Sequence, residues 1–297
     1  MDAQTIAVIL SEASLSLYPI LIKNVNTDLA TQLFFRLGSY SALTGVFADR
    51  RDIAATWGNL PGAASSFALG LMNLVHIGAS YVGFANLPAG TAMALFYMYP
   101  FLNILAGVMF LGEDFEMKLL PFFAAALCGV YLLSKDESGQ GKGSKESNEN
   151  GSDEGFKSPS WKLGLLAIFI AALTETIIFI VAKVAPSGTN AFYPMLQLYV
   201  GAFIILLGGL FGLGKMPDWS ASLPLVFFNV FVGFIGYLMR FHAIPLLPTA
   251  IFSILSFVGV ITAYGWGNLF AHEVPTLRAL IGAGLITGSI AGVRVIS

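Results

Sequence analysis

Residues 87–133 read LPAGTAMALFYMYPFLNILAGVMFLGEDFEMKLLPFFAAALCGVYLL, and this stretch decides the fold. Leu87-Pro88 opens an apolar run of about 20 residues, enough for a helix to cross a hydrocarbon core of about 30 Å. Glu113-Asp114-Phe115-Glu116 turns the chain, and a second apolar run starts at Leu119. Residues 247–296 repeat the plan, with Leu247-Pro248, a long apolar run, His272-Glu273-Val274-Pro275 and another apolar run. The shift of 160 positions that carries Leu87 onto Leu247 also carries Glu113 onto Glu273. Internal repeats of this kind are typical of membrane folds built from two copies of one unit.

The composition agrees. The chain of 297 residues is 56% hydrophobic and 11% charged, against about 25% charged for a soluble domain, too little polar surface to face water all round. A polytopic all-α membrane protein is the class that fits. The net charge of −2 and the lack of a basic run argue against nucleic acid as a partner. A single cysteine, Cys128, excludes an intramolecular disulfide and a cysteine-based metal cluster. The N-terminal segment lacks a basic region and carries Glu12, so it reads as a retained first helix and not as a signal peptide.

Apolar runs bounded by polar or Pro/Gly punctuation predict ten transmembrane helices. Five lie near residues 5–22, 29–48, 62–84, 90–111 and 118–133. Five more lie near 163–184, 191–213, 223–241, 248–270 and 276–296. The parts are a first five-helix repeat over 1–134, a flexible linker over 135–160 and a second repeat over 161–297. The linker is rich in Ser, Gly and mixed charge and cannot bury enough apolar surface to fold. Five helices per half is an odd number, so the halves must sit inverted in the membrane, with a substrate site expected between them at mid-depth. Counting positive charges does not orient the chain, since Arg50, Arg51 and Lys118 fall on one side and Lys162, Lys215 and Arg278 on the other. Gly288 and Gly292 form a GxxxG that suits packing between helices of one chain better than a dimer face.

The run LPAGTAMALFYMYPFLNILAGVMFLGED resembles the fourth helix of EamA-type proteins of the drug/metabolite transporter superfamily, with a small-residue entrance, a mid-helix Pro100 and a Leu111-Gly112-Glu113 exit. The second copy keeps Glu273 but has Ala271-His272 for Leu-Gly and Val260 for Pro100. The resemblance implies a ten-helix secondary transporter with both termini in the cytoplasm, in a cell (inner) membrane. Two fused halves imply that it works as a monomer.

Ionisable groups inside membrane helices are expensive, so each is a candidate for function. Glu12 and Glu175 lie mid-helix in equivalent settings, Leu10-Ser11-Glu12-Ala13 and Leu173-Thr174-Glu175-Thr176. The segment TETIIFIVAK resembles the first helix of small multidrug resistance proteins, which implies a glutamate that binds a proton or a cationic solute. Read without it, the pair binds a proton or merely fixes the bundle. Arg36, one turn from Gln32, either faces inward to meet Glu12 or a substrate carboxylate, or snorkels to the interface. Gln197 stands one turn from Tyr193. Asn73 and His76 share a face of the third helix, with Tyr81 further along, and His76 reads more as a bundle residue than as a proton carrier. Tyr97, Tyr99 and Asn103 surround Pro100 and form a candidate polar wall. Arg240 and His242 near the end of the eighth helix read as an interfacial anchor, with an inward Arg240 as the alternative. Tyr264 on the ninth helix is a further candidate for the path. Glu113 and Glu273 read as caps of the helices that follow them.

There is no Walker A stretch, HExxH, GxSxG or metal-spaced His/Asp/Cys group, so no enzyme, cofactor or metal centre is expected. The expected activity is secondary transport, as export, of a small polar organic metabolite, an amino acid or an amine-bearing compound, with lipid as the only other partner. A sugar-phosphate or nucleotide-sugar exchanger of the same superfamily and a non-transporting membrane scaffold are the alternatives.

Overall fold

The structure is a computed structural model and describes residues 2–25, 27–87, 89–114, 116–140, 161–186, 190–271 and 276–296. The expected linker beyond residue 140, Pro88 and the His272–Pro275 turn with its Glu273 lie outside them. Among the described residues all regular structure is helical, in sixteen α-helices. The first eight are α1 Ala3–Leu15, α2 Tyr18–Asn24, α3 Leu29–Phe47, α4 Arg50–Trp57, α5 Leu60–Asn86, α6 Ala89–Phe96, α7 Tyr99–Phe110 and α8 Leu120–Gln140. The rest are α9 Trp161–Lys183, α10 Phe192–Met195, α11 Gly201–Gly212, α12 Ser222–Phe228, α13 Ile235–Ala243, α14 Thr249–Ser256, α15 Val258–Ala271 and α16 Leu277–Ile296.

Local chemistry sets the helix starts. Asp2, Asp28 and Asn59 cap α1, α3 and α5 by accepting from the backbone N–H three residues on, at 2.7, 2.9 and 2.8 Å. Three long apolar stretches are broken inside. Pro19 and Pro100 sit in the first turns of α2 and α7, where a missing N–H and a fixed φ end the preceding helix. The α14–α15 break at Phe257 has no proline; Ser256 instead donates to Phe252 O at 3.0 Å, a back-bond that bends helices. π-helical turns at Leu196–Val200 and Asn229–Phe234 join α10 to α11 and α12 to α13.

Six stretches are long and apolar enough to cross a membrane: Ala3–Ile22, Leu60–Asn86, Lys162–Lys183, Phe192–Gly212, Trp219–Leu246 and Thr249–Phe270. Tyr99–Phe110, Met117–Leu132 and Leu277–Val293 are shorter apolar helices. The short α4 was not anticipated, and α8 runs on into the expected linker. Large apolar side chains point outward at many places, among them Leu60, Met109, Phe110, Phe211, Leu213 and Leu223. That surface suits lipid and not water.

Burial divides the bundle into two apolar cores that do not follow the sequence halves. One joins α1, α3, α5, α9 and the helices from α10 to α13. The other joins α6, α7, α8, α14, α15 and α16 with α9 residues Ile168 and Ala172. Helix α5 packs on α9, α1 on α13 and α8 on α16. At the α5–α11 crossing the backbones touch: a Cβ on Gly70 would strike Ala202 N, and one on Gly201 would strike Ser66 O. Gly292 lies against Phe122 of α8, while Gly288 faces open space.

The two ends of the bundle can be told apart by contacts between distant residues. At one end Leu87 lies against Gly164, and Asp218 N donates to Thr31 Oγ1 at 2.9 Å. At the other, Asn190 Nδ2 reaches Asp49 Oδ2 at 3.4 Å and Glu113 meets both Lys183 and Thr249. These are the Leu87 end and the Glu113 end.

Candidate functional site

Helices α1 and α9 carry the two carboxylates to the same depth. Glu12 on α1 and Glu175 on α9 are 2% and 3% exposed, and both bond to one guanidinium, that of Arg240 on α13. Nη1 of Arg240 donates to Glu12 Oε1, and Nη2 donates to Glu175 Oε1. Arg240 is therefore not an interfacial anchor. It is 3% exposed at the centre of the protein, because the helical stretch carrying it continues to Leu246 and leaves it more than a turn inside.

The tyrosines of the α6–α7 break close over this pair. Tyr97 Oη donates to Glu12 Oε2 at 3.4 Å and Tyr99 Oη to Glu12 Oε1 at 3.3 Å. The Arg240 Cζ stands 5.2 Å from the Tyr99 ring centroid and 5.4 Å from that of Phe252. His76 on α5 approaches from the other side, its Nε2 3.2 Å from Glu175 Oε2. Its Nδ1 lies 3.0 Å from Ala171 O, and a carbonyl can only accept, so Nδ1 bears the hydrogen. Thr174 Oγ1, 3.1 Å from the same nitrogen, already donates to Ile170 O at 2.7 Å. Neutral His76 thus turns a bare Nε2 toward Glu175, and one added proton converts that contact into an ion pair.

Arg36 on α3 is the second buried cation, 3% exposed. Of the alternatives open to it, Arg36 neither snorkels nor meets Glu12, whose carboxylate is bonded to Arg240. Arg36 instead sits among tyrosines. Its Cζ lies 4.1 Å from the Tyr18 ring centroid, 5.5 Å from Tyr237, 5.8 Å from Tyr81 and 5.9 Å from Tyr40. Nη2 donates to Tyr237 Oη at 3.1 Å, while Nε has no partner among the described residues. No described carboxylate lies within ion-pair distance of it. Tyr18 in turn is held by Tyr40 Oη and Asn229 Oδ1, each at 2.7 Å.

Glu12, Glu175, Arg240, Arg36, His76 and the tyrosines 18, 81, 97, 99 and 237 line one narrow cavity of about 70 Å³, room for a few water molecules. Its other walls, among them Ile22, Ser80, Phe84, Met93 and Phe96, lie toward the Leu87 end, so the cavity opens toward it. Toward the Glu113 end the way is filled by Phe179, Phe241, Phe252 and Leu255, each at most 1% exposed.

Of the residues singled out from sequence, Glu12, Glu175, Arg36, His76, Tyr97, Tyr99 and Arg240 line this cavity, and four do not. Asn73 Nδ2 donates to Leu198 O at 3.0 Å and ties α5 to a π turn. Gln197 points away and meets Tyr193 Oη at 3.4 Å. Tyr264 packs against the second core, and Asn103 is fully buried below the cluster. The tyrosine setting around Arg36 was not anticipated apart from Tyr81. Tyr18 and Tyr237, mid-bundle in a chain with 25 Phe, carried the available signal, a hydroxyl where a phenyl would pack as well.

Glu113 caps a helix, but not the one that follows it. Its Oε2 accepts from Thr249 N at 2.9 Å at the start of α14, and its Oε1 lies 3.2 Å from Lys183 Nζ. Burial pushes the Glu113 carboxyl up, yet the Thr249 amide and the Lys183 ammonium outweigh it and hold the group below the ordinary carboxylate value. Lys183 also donates to Ile244 O at 3.4 Å and to Leu247 O.

Comparison with known proteins agrees with this architecture. The pseudopaline exporter CntI of Pseudomonas aeruginosa (strain UCBPP-PA14) is 20% identical over 284 residues, 94% of this chain and 91% of that protein. The uncharacterized transporter YvbV of Bacillus subtilis (strain 168) is 24% identical over 226 residues, 74% of this chain and 68% of that one. A solved crystal structure, 15% identical, superposes with a TM-score of 0.71 over 100% of this chain and 99% of its own, a likeness of fold. The profile of the EamA-like transporter family matches twice, at residues 4–135 and 162–295. The chain belongs to that family and is a multi-pass integral membrane transporter of the drug/metabolite type.

Proposed function

We propose that the protein is a secondary transporter that exports a small polar organic metabolite bearing an amine, an amino acid above all, by proton-coupled alternating access. In this reading ten helices cross the cell (inner) membrane as two inverted halves, with both termini cytoplasmic, and the chain acts as a monomer. One observation carries the reading: two buried carboxylates share a single guanidinium in a cavity open at one end, beside a second guanidinium that has no carboxylate. A solute ammonium or a proton competes with Arg240 for Glu12 and Glu175, and a solute carboxylate suits the unpaired Arg36. His76 supplies the place where a second proton joins Glu175. Exchange of one cation for another at the same carboxylates is what couples proton flow to solute movement. The named relative is an exporter, which supports the direction. Two acids in the lining oppose a phosphate-bearing cargo, so the anion-exchanger reading is the weaker one.

The test is ligand-induced thermal stabilisation of the purified protein, since a ligand that binds the folded state raises apparent stability by mass action. Amino acids are compared with their decarboxylated amines and with sugar phosphates. Stabilisation by amines and amino acids is expected to vanish in Glu12→Gln and Glu175→Gln. Arg36→Gln is expected to erase only the preference for amino acids over amines. Stabilisation by sugar phosphates alone, or undiminished transport by both glutamine variants, overturns the reading.

A further inference from the structure

Below the carboxylate cluster, the contact between α7 and α14 carries a line of polar groups through an otherwise apolar bundle. Thr249, Ser253 and Ser256 are spaced four and three apart and share one face of α14. Helix α7 runs toward the Glu113 end and α14 runs away from it, so the two pair off antiparallel. A Cβ on Gly107 would lie 3.2 Å from Thr249 Cβ, and Tyr99 interacts with the Ser256 hydroxyl. Asn103 and Ser253 fall between these two rungs, one turn from each. Both are 0% exposed, and neither the amide atoms of Asn103 nor the hydroxyl of Ser253 have a protein partner among the described residues. The chain positions beside them, Leu102, Ile104, Phe252 and Ile254, are apolar. Buried amides and hydroxyls in such a setting are met by water or by a ligand.

The internal repeat says what this line corresponds to. The shift of 160 positions carries Met93 and Phe96, which line the open cavity, onto Ser253 and Ser256. The α14 positions equivalent to the walls of the open half are therefore polar and buried in the closed half. At the outer end of the line, Lys183 of α9 joins Glu113 after α7 to the carbonyls of Ile244 and Leu247, and Glu113 accepts from the first amide of α14. Four helix ends, those of α7, α9 and the α13 stretch and the start of α14, meet in that one contact.

We propose that the α7–α14 seam is the second half of the solute path, a site for water and for the polar solute, latched at its mouth by Lys183 and Glu113. The inference rests on the transport reading above and adds the route by which the Glu113 end is reached. When the latch parts, Asn103, Ser253 and Ser256 present hydrogen-bonding groups to the entering solvent. An apolar seam would instead present bare hydrocarbon to it.

Cysteine accessibility tests this without measuring transport. Asn103→Cys and Ser253→Cys are made in a Cys128→Ala background, with Ile254→Cys as a neighbour of equal burial on the apolar side. Each is reacted with a small cationic methanethiosulfonate, with the latch intact and in Lys183→Met. The two seam positions are expected to react about tenfold faster once the latch is removed, the population shift that loss of a capped ion pair gives. Ile254→Cys is expected to stay inert in both backgrounds. Equal rates at the seam positions with and without the latch, or the same acceleration at Ile254→Cys, overturn the proposal. Glu113→Gln breaks the latch from the other partner and must reproduce the result, which keeps the test intact if Lys183→Met does not fold. The labelling pattern survives a wrong assignment of cargo or coupling, and a transporter whose path lies elsewhere does not give it.

Discussion

Arg240→Met removes the one guanidinium that compensates Glu12 and Glu175, and its effect on stability can be worked from the site. Arg240 makes two charge-assisted hydrogen bonds at 4% side-chain exposure, to carboxylates that are 3% exposed. A hydrogen bond to a charged group contributes about 1.5–3 kcal/mol, so the two together contribute about 3–6 kcal/mol. Breaking a buried ion pair from one side costs about 3–5 kcal/mol, because the charge left behind has lost its solvent and its partner. At about 2–4 °C per kcal/mol for a large domain, the apparent melting temperature falls by about 6–20 °C. The cost belongs to the stranded carboxylates and not to the lost arginine packing. Arg240→Met combined with Glu12→Gln and Glu175→Gln is therefore expected to melt well above Arg240→Met alone, giving a coupling energy of several kcal/mol in the cycle. The assay is thermal unfolding in detergent, at one scan rate and one pH, for wild type, the single variant, the two glutamine variants and the triple variant. A triple variant no more stable than Arg240→Met, or an Arg240→Met that melts with wild type, refutes the account of the cluster as a compensated pair of acids.

Two further outcomes follow from other parts of the structure. Glu113 has its carboxyl held below the ordinary value by Thr249 N and Lys183, so its contribution to stability is full above the ordinary carboxylate range and is lost as pH falls through the depressed value. The acid limb of an unfolding-against-pH curve should lose that component in Glu113→Gln, and an unchanged acid limb would show that the group titrates as if exposed. Gly233 lies in the second π turn, where an added Cβ would collide with the hydroxyls of Tyr18 and Tyr40. Gly233→Ala is expected to destabilise by about 1–3 kcal/mol through overpacking. Gly208→Ala, which meets open space, should gain about 0.5–1 kcal/mol of helix propensity, and equal melting of the two variants contradicts the placement.

What could be read in the sequence was the material of the site more than its wiring. Glu12 and Glu175 stood out because a carboxylate inside an apolar run is rare and because the repeat put them in matching settings. Periodicity and hydropathy locate such groups in depth, and depth was right for both. Arg240 was misread because apolar counting ended the helix at Phe241, whereas the stretch extends through Ile244–Leu246 and carries the guanidinium inward. Gln197 was misplaced by the π turn at Leu196–Val200, which turns Tyr199 and not Gln197 inward. Glu113 was assigned to the wrong helix, because a cap supplied by a residue 136 positions away leaves no trace in local sequence. The orphaned state of Asn103 belongs to packing alone and had no signal at all.

In the proposed transport cycle, the placement of Arg240 offers a way to couple the two copies. Glu12 comes from the first copy and Glu175 from the second, and one guanidinium from the second copy holds both. The apolar cores, however, sort the helices differently, since each core draws elements from both copies. The carboxylate cluster lies where the two cores meet, so relative motion of the cores changes the distances within it. In that proposed cycle, a cation that replaces Arg240 at either carboxylate would loosen the tie between the copies. Under the proposed function, binding and rearrangement are linked through one charge, and a solute that does not compete with Arg240 has no differential affinity with which to shift the equilibrium.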